Sequence, residues 1–169
     1  IIDIAAGKEQ SVLVTAKGTI YGYGNILNGE LSGIENAVKV QVTKDSIIIL
    51  CSDNNVYKYK ANVLTQITLP NKVVAISAKG ENVMYQTVDE KTYVTGVNTY
   101  GELGTGDTVS IETPVLVNVH GESTFGIGAG YNNTYIIENT GNVYASGNNE
   151  YGSIGNATRE NQLEHILVG

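Results

Sequence analysis

The sequence predicts an all-β protein made of four repeated units, and three observations carry that prediction. Glycine (20 of 169 residues) and asparagine are abundant, and no stretch repeats apolar residues at helical spacing over three turns. Short β-branched or aromatic runs such as Ser11–Thr15, Ile47–Leu50 and Thr134–Ile137 are bounded by Gly, Asn and Asp, as strands are. The chain also repeats itself: a tyrosine after a hairpin turn recurs as Tyr21, Tyr57, Tyr93 and Tyr144, at spacings of 36, 36 and 51 residues. Residues 1–169 therefore read as one repeat domain, with units at approximately 1–36, 37–72, 73–122 and 123–169.

Each unit opens with a strand of alternating apolar residues, Ile2–Ile4, Val38–Val40, Val74–Ile76 and Phe125–Ile127. Small residues follow in three units (Ala5-Ala-Gly7, Ser77-Ala78, Gly128-Ala-Gly130) and allow neighbouring backbones to approach closely. A hairpin comes next, with its turn at Thr15–Gly18, Cys51–Asn54, Thr87–Glu90 or Glu138–Gly141. Gly18, Asn54 and Gly141 tolerate the positive φ of tight hairpins. Glu90 does not, so the third unit is expected to have a different turn or a strained residue. Three units close with Gly-x-x-x-x-Gly-[Glu/Ser]-[Leu/Ile], at Gly24–Leu31, Gly96–Leu103 and Gly147–Ile154; in the second, Lys60 replaces the first glycine and the loop is lost. The short first and second units are expected to lack an outer strand or to carry minimal loops.

The run Gly96–Val117 closely resembles the repeat of the regulator of chromosome condensation family, supported by Ile2–Gly24 and by Phe125–Gly155 with its tail Gln162–Val168. The resemblance implies a β-propeller whose blades are four-stranded antiparallel sheets around a central channel. The family often places His just after the small-residue strand; Gln10, Ser46, Asn82 and Asn133 stand there instead, so the buried polar network is expected to differ. Family propellers usually close with seven blades. Four units, starting at Ile1 rather than Met, imply an open arc cut from a larger propeller. Open strand edges at its ends would seek partners, so self-association is expected.

Composition excludes several function classes. The formal charge is −7, and residues 92–169 carry all of it, with one basic side chain against eight acidic ones. A basic patch for nucleic acid is absent. No apolar run approaches membrane-span length, and the most apolar, Ile47–Cys51, is bounded by Ser46 and Ser52. Cys51 is the one cysteine, so there is no internal disulfide and no cysteine zinc cluster; it reads as a small hydrophobe in or beside a strand. His120 and His165 each stand near a lone glutamate and read as solvated surface groups, not metal ligands. No nucleophile elbow, Cys/His pair or phosphate cradle occurs, and Asp89-Glu90 falls in a turn. The expectation is no catalytic residue, no metal, no cofactor and no enzymatic activity.

Function is then expected at loops on a rigid scaffold. Tyr100 and Tyr151 share one loop position and are of a type that anchors interfaces. Glu102, Asp107, Glu112 and Glu150 lie in the same long loops and would steer a basic protein partner. These six residues form the expected binding surface of a non-enzymatic protein-interaction module or scaffold. Two alternatives remain: a structural repeat module of a bacterial surface or secreted protein, and a guanine-nucleotide exchange factor for a small GTPase. The family resemblance includes exchange factors, but no long hairpin insertion like an exchange wedge is seen. The absence of Trp argues against the ultraviolet-receptor branch. An extracellular or cell-surface setting is favoured over the cytoplasm by the Asn- and Tyr-rich, Cys-poor composition.

Overall fold

The computed structural model describes residues 1–117 and 123–169. Sixteen strands among them form four antiparallel four-stranded sheets, with no helix. Blade 1 contains β1 (Asp3–Ala6), β2 (Gln10–Val14), β3 (Ile20–Gly24) and β4 (Gly29–Leu31). Blade 2 contains β5 (Ala37–Val42), β6 (Ser46–Cys51), β7 (Val56–Lys60) and β8 (Val63–Ile67). Blade 3 contains β9 (Val73–Lys79), β10 (Asn82–Thr87), β11 (Thr92–Gly96) and β12 (Ile111–Val117). Blade 4 contains β13 (Thr124–Ala129), β14 (Asn133–Glu138), β15 (Val143–Gly147) and β16 (Gln162–Leu167). Within each sheet the strands lie in chain order, the first innermost and the fourth at the rim.

The repeat holds at residue level. Tyr21, Tyr57, Tyr93 and Tyr144 are each second in the third strand, facing Leu13, Ile49, Tyr85 and Ile136 across the ladder. The four hairpin turns close alike: Gly18, Asn54, Glu90 and Gly141 N–H donate to the carbonyls of Thr15, Cys51, Thr87 and Glu138, each at 2.9 Å. All four have positive φ, and at Glu90 (φ 61°) a residue with a Cβ accepts the left-handed strain. The turns also tie blades together, since Gly18 and Asn54 carbonyls accept from Ala37 and Val73 N–H, and Glu90 from Thr124 N–H.

The core lies between blades. One apolar cluster joins blades 1 and 2 through Val12, Val14, Val40 and Ile49, a second joins 2 and 3, and a third joins 3 and 4 through Met84, Val94 and Ile136. Central blades are covered on both faces, so β6 and β10 are buried along their whole length and read as continuous runs. In β2 of the end blade burial is interrupted, with Gln10, Val12 and Val14 in and Ser11 out. Inner strands are linked by side chains: Asp3 Oδ2 accepts from Val40 N–H at 2.8 Å, and Ser77 Oγ accepts from Ala129 N–H at 2.9 Å. No apolar cluster joins blade 4 to blade 1 among the described residues, so the four blades form an open arc.

One expectation is decided between its alternatives and two are corrected. Both short units keep a fourth strand; they save length in their loops, blade 2 by a two-residue turn at Ala61 and Asn62, both at positive φ. Gly29-Glu-Leu31 is not a loop like its counterparts but the outer strand itself, with Glu30 opposite Tyr21 and Leu31 opposite Ile20. The ends of the arc expose sheet faces rather than extra strand edges, because every blade already presents its outer edge at the rim.

Candidate binding face

The loops joining first to second and third to fourth strands emerge on one side of the arc. Two cavities open there. The central one, about 520 Å³, is walled by Gly7–Glu9, Val42–Asp45, Lys79–Glu81, Val97, Tyr131 and Asn132. Its rim mixes charge: Lys44 pairs with Glu81 at 2.9 Å, and the Lys79 ammonium lies 5.4 Å from the centre of the Tyr131 ring. The second, about 590 Å³, is a groove between blades 2 and 3 that shares Thr43, Asp45, Glu81 and Val97 with the first. Lys58, Lys60, Thr65 and Ile67 form one wall of it, and Val83, Thr95, Ile111 and Glu112 the other. Lys60 pairs with Asp45 at 2.5 Å.

The long loops are built from a buried asparagine. Asn98 Oδ1 accepts from Leu103 N–H at 2.8 Å while Nδ2 donates to the Asp107 carbonyl at 3.0 Å. Asn149 repeats this in blade 4 with Ile154 N–H and the Thr158 carbonyl. The blade 3 loop is then fastened to blade 4: the Glu102 carbonyl accepts from Thr134 Oγ1 at 2.5 Å and Ser146 Oγ at 3.1 Å, and Gly106 N–H donates to the Leu163 carbonyl.

The six expected residues all belong to the third-to-fourth strand connections of blades 3 and 4 or to the strand that follows, and five of them are exposed. Tyr151 is 85% exposed and Glu150 is exposed beside it; Tyr100 is partly exposed. Glu112 is not in a loop but on β12, exposed on the groove wall. Asp107 is exposed yet engaged within its loop, Oδ1 accepting from Val109 N–H and Thr105 Oγ1. Glu102 is not a surface residue: it is 1% exposed, and its carboxylate folds back to accept from Tyr100 N–H at 2.7 Å. Its position in a Gly-Glu-Leu turn sends the backbone, and the glutamate with it, against the next blade.

His165 also departs from the surface reading. It is buried on β16 beneath Gly104, with Nε2 2.9 Å from Thr134 Oγ1, and burial pushes its pKa down to about 4. His120 lies outside the described residues. Gln10, where the family often has His, secures the blade 1 loop: Oε1 accepts from Ile26 and Leu27 N–H, and Nε2 donates to the Leu27 carbonyl. Cys51 is buried at the end of β6, and desolvation raises its thiol pKa to about 11. No group of three or more His, Cys, Asp or Glu side chains suited to a metal occurs among the described residues, nor is any helix there long and apolar enough to cross a membrane. Lys58, Lys60 and the central lysines escaped sequence reasoning, because they read as ordinary solvated charges until the blades bring them to one rim.

Four-stranded radial sheets, shared turn chemistry and asparagine-built loops define the class: this is an arc of β-propeller blades, and its repeats are similar to those of the regulator of chromosome condensation family. The family described as "Regulator of chromosome condensation (RCC1) repeat" matches residues 126–153, which hold most of blade 4. Human E3 ubiquitin-protein ligase HERC2 is 29% identical over 147 residues, covering 84% of this chain and 3% of that protein. The human X-linked retinitis pigmentosa GTPase regulator is 32% identical over 96 residues, covering 56% of this chain and 9% of the relative. Among solved structures, yeast RCC1 (Prp20) in complex with Kap60 superposes with a TM-score of 0.84 at 15% identity, over 98% of this chain and 48% of that one. Human WBSCR16 gives 0.80 at 16% identity, over 98% and 52%. The chain thus spans about half of these solved chains and a small part of the curated relatives.

Proposed function

We propose that this chain is a non-enzymatic protein-interaction module that engages its partner across the face holding the central cavity and the groove. The observation that carries the reading is the continuity of these two cavities, which together form a concave, mixed-charge surface on a rigid sheet scaffold. The opposite side offers tight turns tied by backbone hydrogen bonds to the next blade. Two structures of one structurally similar protein bear on it: yeast RCC1 (Prp20) was solved bound to Kap60, and a second Prp20p structure is described with its binding to Gsp1p and histones. Absence of catalysis is part of the proposal, supported by a high thiol pKa at Cys51 and a buried, neutral His165. Exposed carboxylates on blades 3 and 4, at Asp107, Glu150 and Glu160 in the loops and at Glu112 and Glu164 on the outer strands β12 and β16, favour a basic partner surface.

The test is affinity capture with the 169-residue chain, with Glu112→Lys on the groove wall and with Asp53→Lys on the opposite side. The expected result is a partner that Glu112→Lys loses and Asp53→Lys retains, with capture weakening as salt rises. Equal capture by all three would overturn the assignment of the face.

A further inference from the structure

Each internal junction repeats one construction, in which a forward face of one blade meets a backward face of the next. Val12, Val14 and Ile20 of blade 1 share a cluster with Val40 and Ile49 of blade 2, and Ile48, Leu50 and Val56 of blade 2 share one with Ile76 and Tyr85 of blade 3. Ladder registers place a further copy of each face at the ends of the arc, apart from the loop face. Tyr135, Ile137 and Val143 of blade 4 are equivalent to Val12, Val14 and Ile20, while Ile4, Leu13 and Tyr21 of blade 1 are equivalent to Val40, Ile49 and Tyr57. The forward face of blade 4 is already furnished as a junction. Ile154 is buried there on the pattern of Leu103, its N–H donating to Asn149 Oδ1 as that of Leu103 donates to Asn98 Oδ1. The Gly141 carbonyl is the fourth of a set whose other three members accept from the next blade, and it has no next blade. At the opposite end, Tyr93 and Tyr144 are buried within their junctions, whereas the equivalent Tyr21 is partly exposed and its hydroxyl donates to Glu30 at 2.8 Å.

We propose that the occupant of each end face is the opposite end of a second copy of this chain, so that two copies close head to tail into one eight-bladed ring. Every junction in the molecule sets a forward face against a backward face, and none sets like against like. The chain itself carries both the backward face that blade 4 lacks and the forward face that blade 1 lacks, and a head-to-tail contact of this kind makes a ring when its rotation closes. Length agrees: the chain spans about half of the solved chains onto which it superposes, so two copies match one of them. One chain closing on itself would need about 90° per blade, whereas a ring of eight turns about 45° at each and a ring of seven about 51°. The change of about 6° from seven to eight is small beside the spread of strand twist in ordinary sheets. The centres of both faces are uncharged, so their apolar surface leaves water without stripping an ion.

The experiment is sedimentation equilibrium on the 169-residue chain, on Ile4→Lys, on Ile137→Glu and on an equimolar mixture of the two variants. Both positions are surface-exposed in the single chain, so each variant is expected to keep its strands, which circular dichroism checks. The parent should reach a plateau at twice 18.0 kDa. Either variant alone should dimerise about tenfold or more weakly, because both junctions of its ring would bury an unpaired charge. The mixture should recover the doubled mass, since one junction is then unaltered and the other sets lysine against glutamate. A parent that stays at 18.0 kDa would overturn the proposal, as would a mass that climbs without a plateau, the mark of an open filament. Loss in only one of the variants would show that like ends meet, and a mixture no heavier than its components would exclude head-to-tail closure. If one variant fails to fold, the parent's plateau and the other variant decide.

Discussion

His165 shows how a residue that reads as surface in the sequence becomes a stability determinant. Its folded pKa of about 4 lies below the ordinary histidine value of 6.5, because burial strips water from the charged ring. Protons therefore bind the unfolded chain more readily between those values, and the contribution of His165 is complete above about pH 6.5 and lost as pH falls toward 4. The shift corresponds to about 3 kcal/mol at most. Asp45, Asp53 and Asp89 have lowered pKa values, so their contributions fade only at still lower pH, as each protonates through its folded value. Urea unfolding at pH 7 and pH 4.5 should show a marked loss for the parent chain and a much smaller one for His165→Gln. An equal loss in both would place the titrating group elsewhere. Glu90 is the second case: at φ 61° it does a glycine's work in its turn, and Glu90→Gly should stabilise by about 1 kcal/mol in the same assay. A destabilised variant would mean that the side chain compensates for the strain.

At the scale of the element, the long loop of blade 3 is a structural part of blade 4. Leu103 fills the junction, Asn98 shapes the approach, and the Glu102 carbonyl is held by two hydroxyls of the next blade. Leu103→Ala should therefore cost about 3 kcal/mol, in the range of buried leucine truncations. Leu27→Ala acts at the first junction, where the loop is shorter and Gln10 holds it at both carbonyl and amides, and should cost less. Chemical denaturation of both variants measures the difference; a Leu103→Ala loss below about 1 kcal/mol would mean the loop relaxes into the space it leaves.

For the whole molecule, the ends of the arc repeat the faces that blades use on one another. Ile4 is equivalent to Val40 and Ile76, which are 0% and 2% exposed, yet is itself 72% exposed. At the other end Ile137 is 39% exposed where Val14 and Leu50 are buried. The face of blade 1 belongs to the charge-balanced half and that of blade 4 to the acidic half, so head-to-tail stacking of two copies avoids like-charge contact. Light scattering over a micromolar concentration series should show the mass rising above 18.0 kDa. Ile4→Lys combined with Ile137→Lys should hold it there. A parent chain that stays monomeric throughout would show that these faces do not associate on their own.

Sequence by itself determined the all-β class, the number of units and the equivalence of the four tyrosines, because hairpin turns and strand pairs are local and each unit restates them. It also located the loss of the loop at Lys60. What it could not decide was which side of a loop residue meets protein. Glu102 and Glu112 look alike as letters, yet one is buried against the next blade and the other lies open on the groove wall. The same Gly-Glu-Leu letters form a turn at Gly101–Leu103 and an outer strand at Gly29–Leu31, since the distance along the chain to the next blade sets how much loop remains. Burial of His165 and exposure of Ile4 are likewise decided by packing: a blade's face is core or surface according to whether another blade covers it, and that contact is between units, where no local pattern records it.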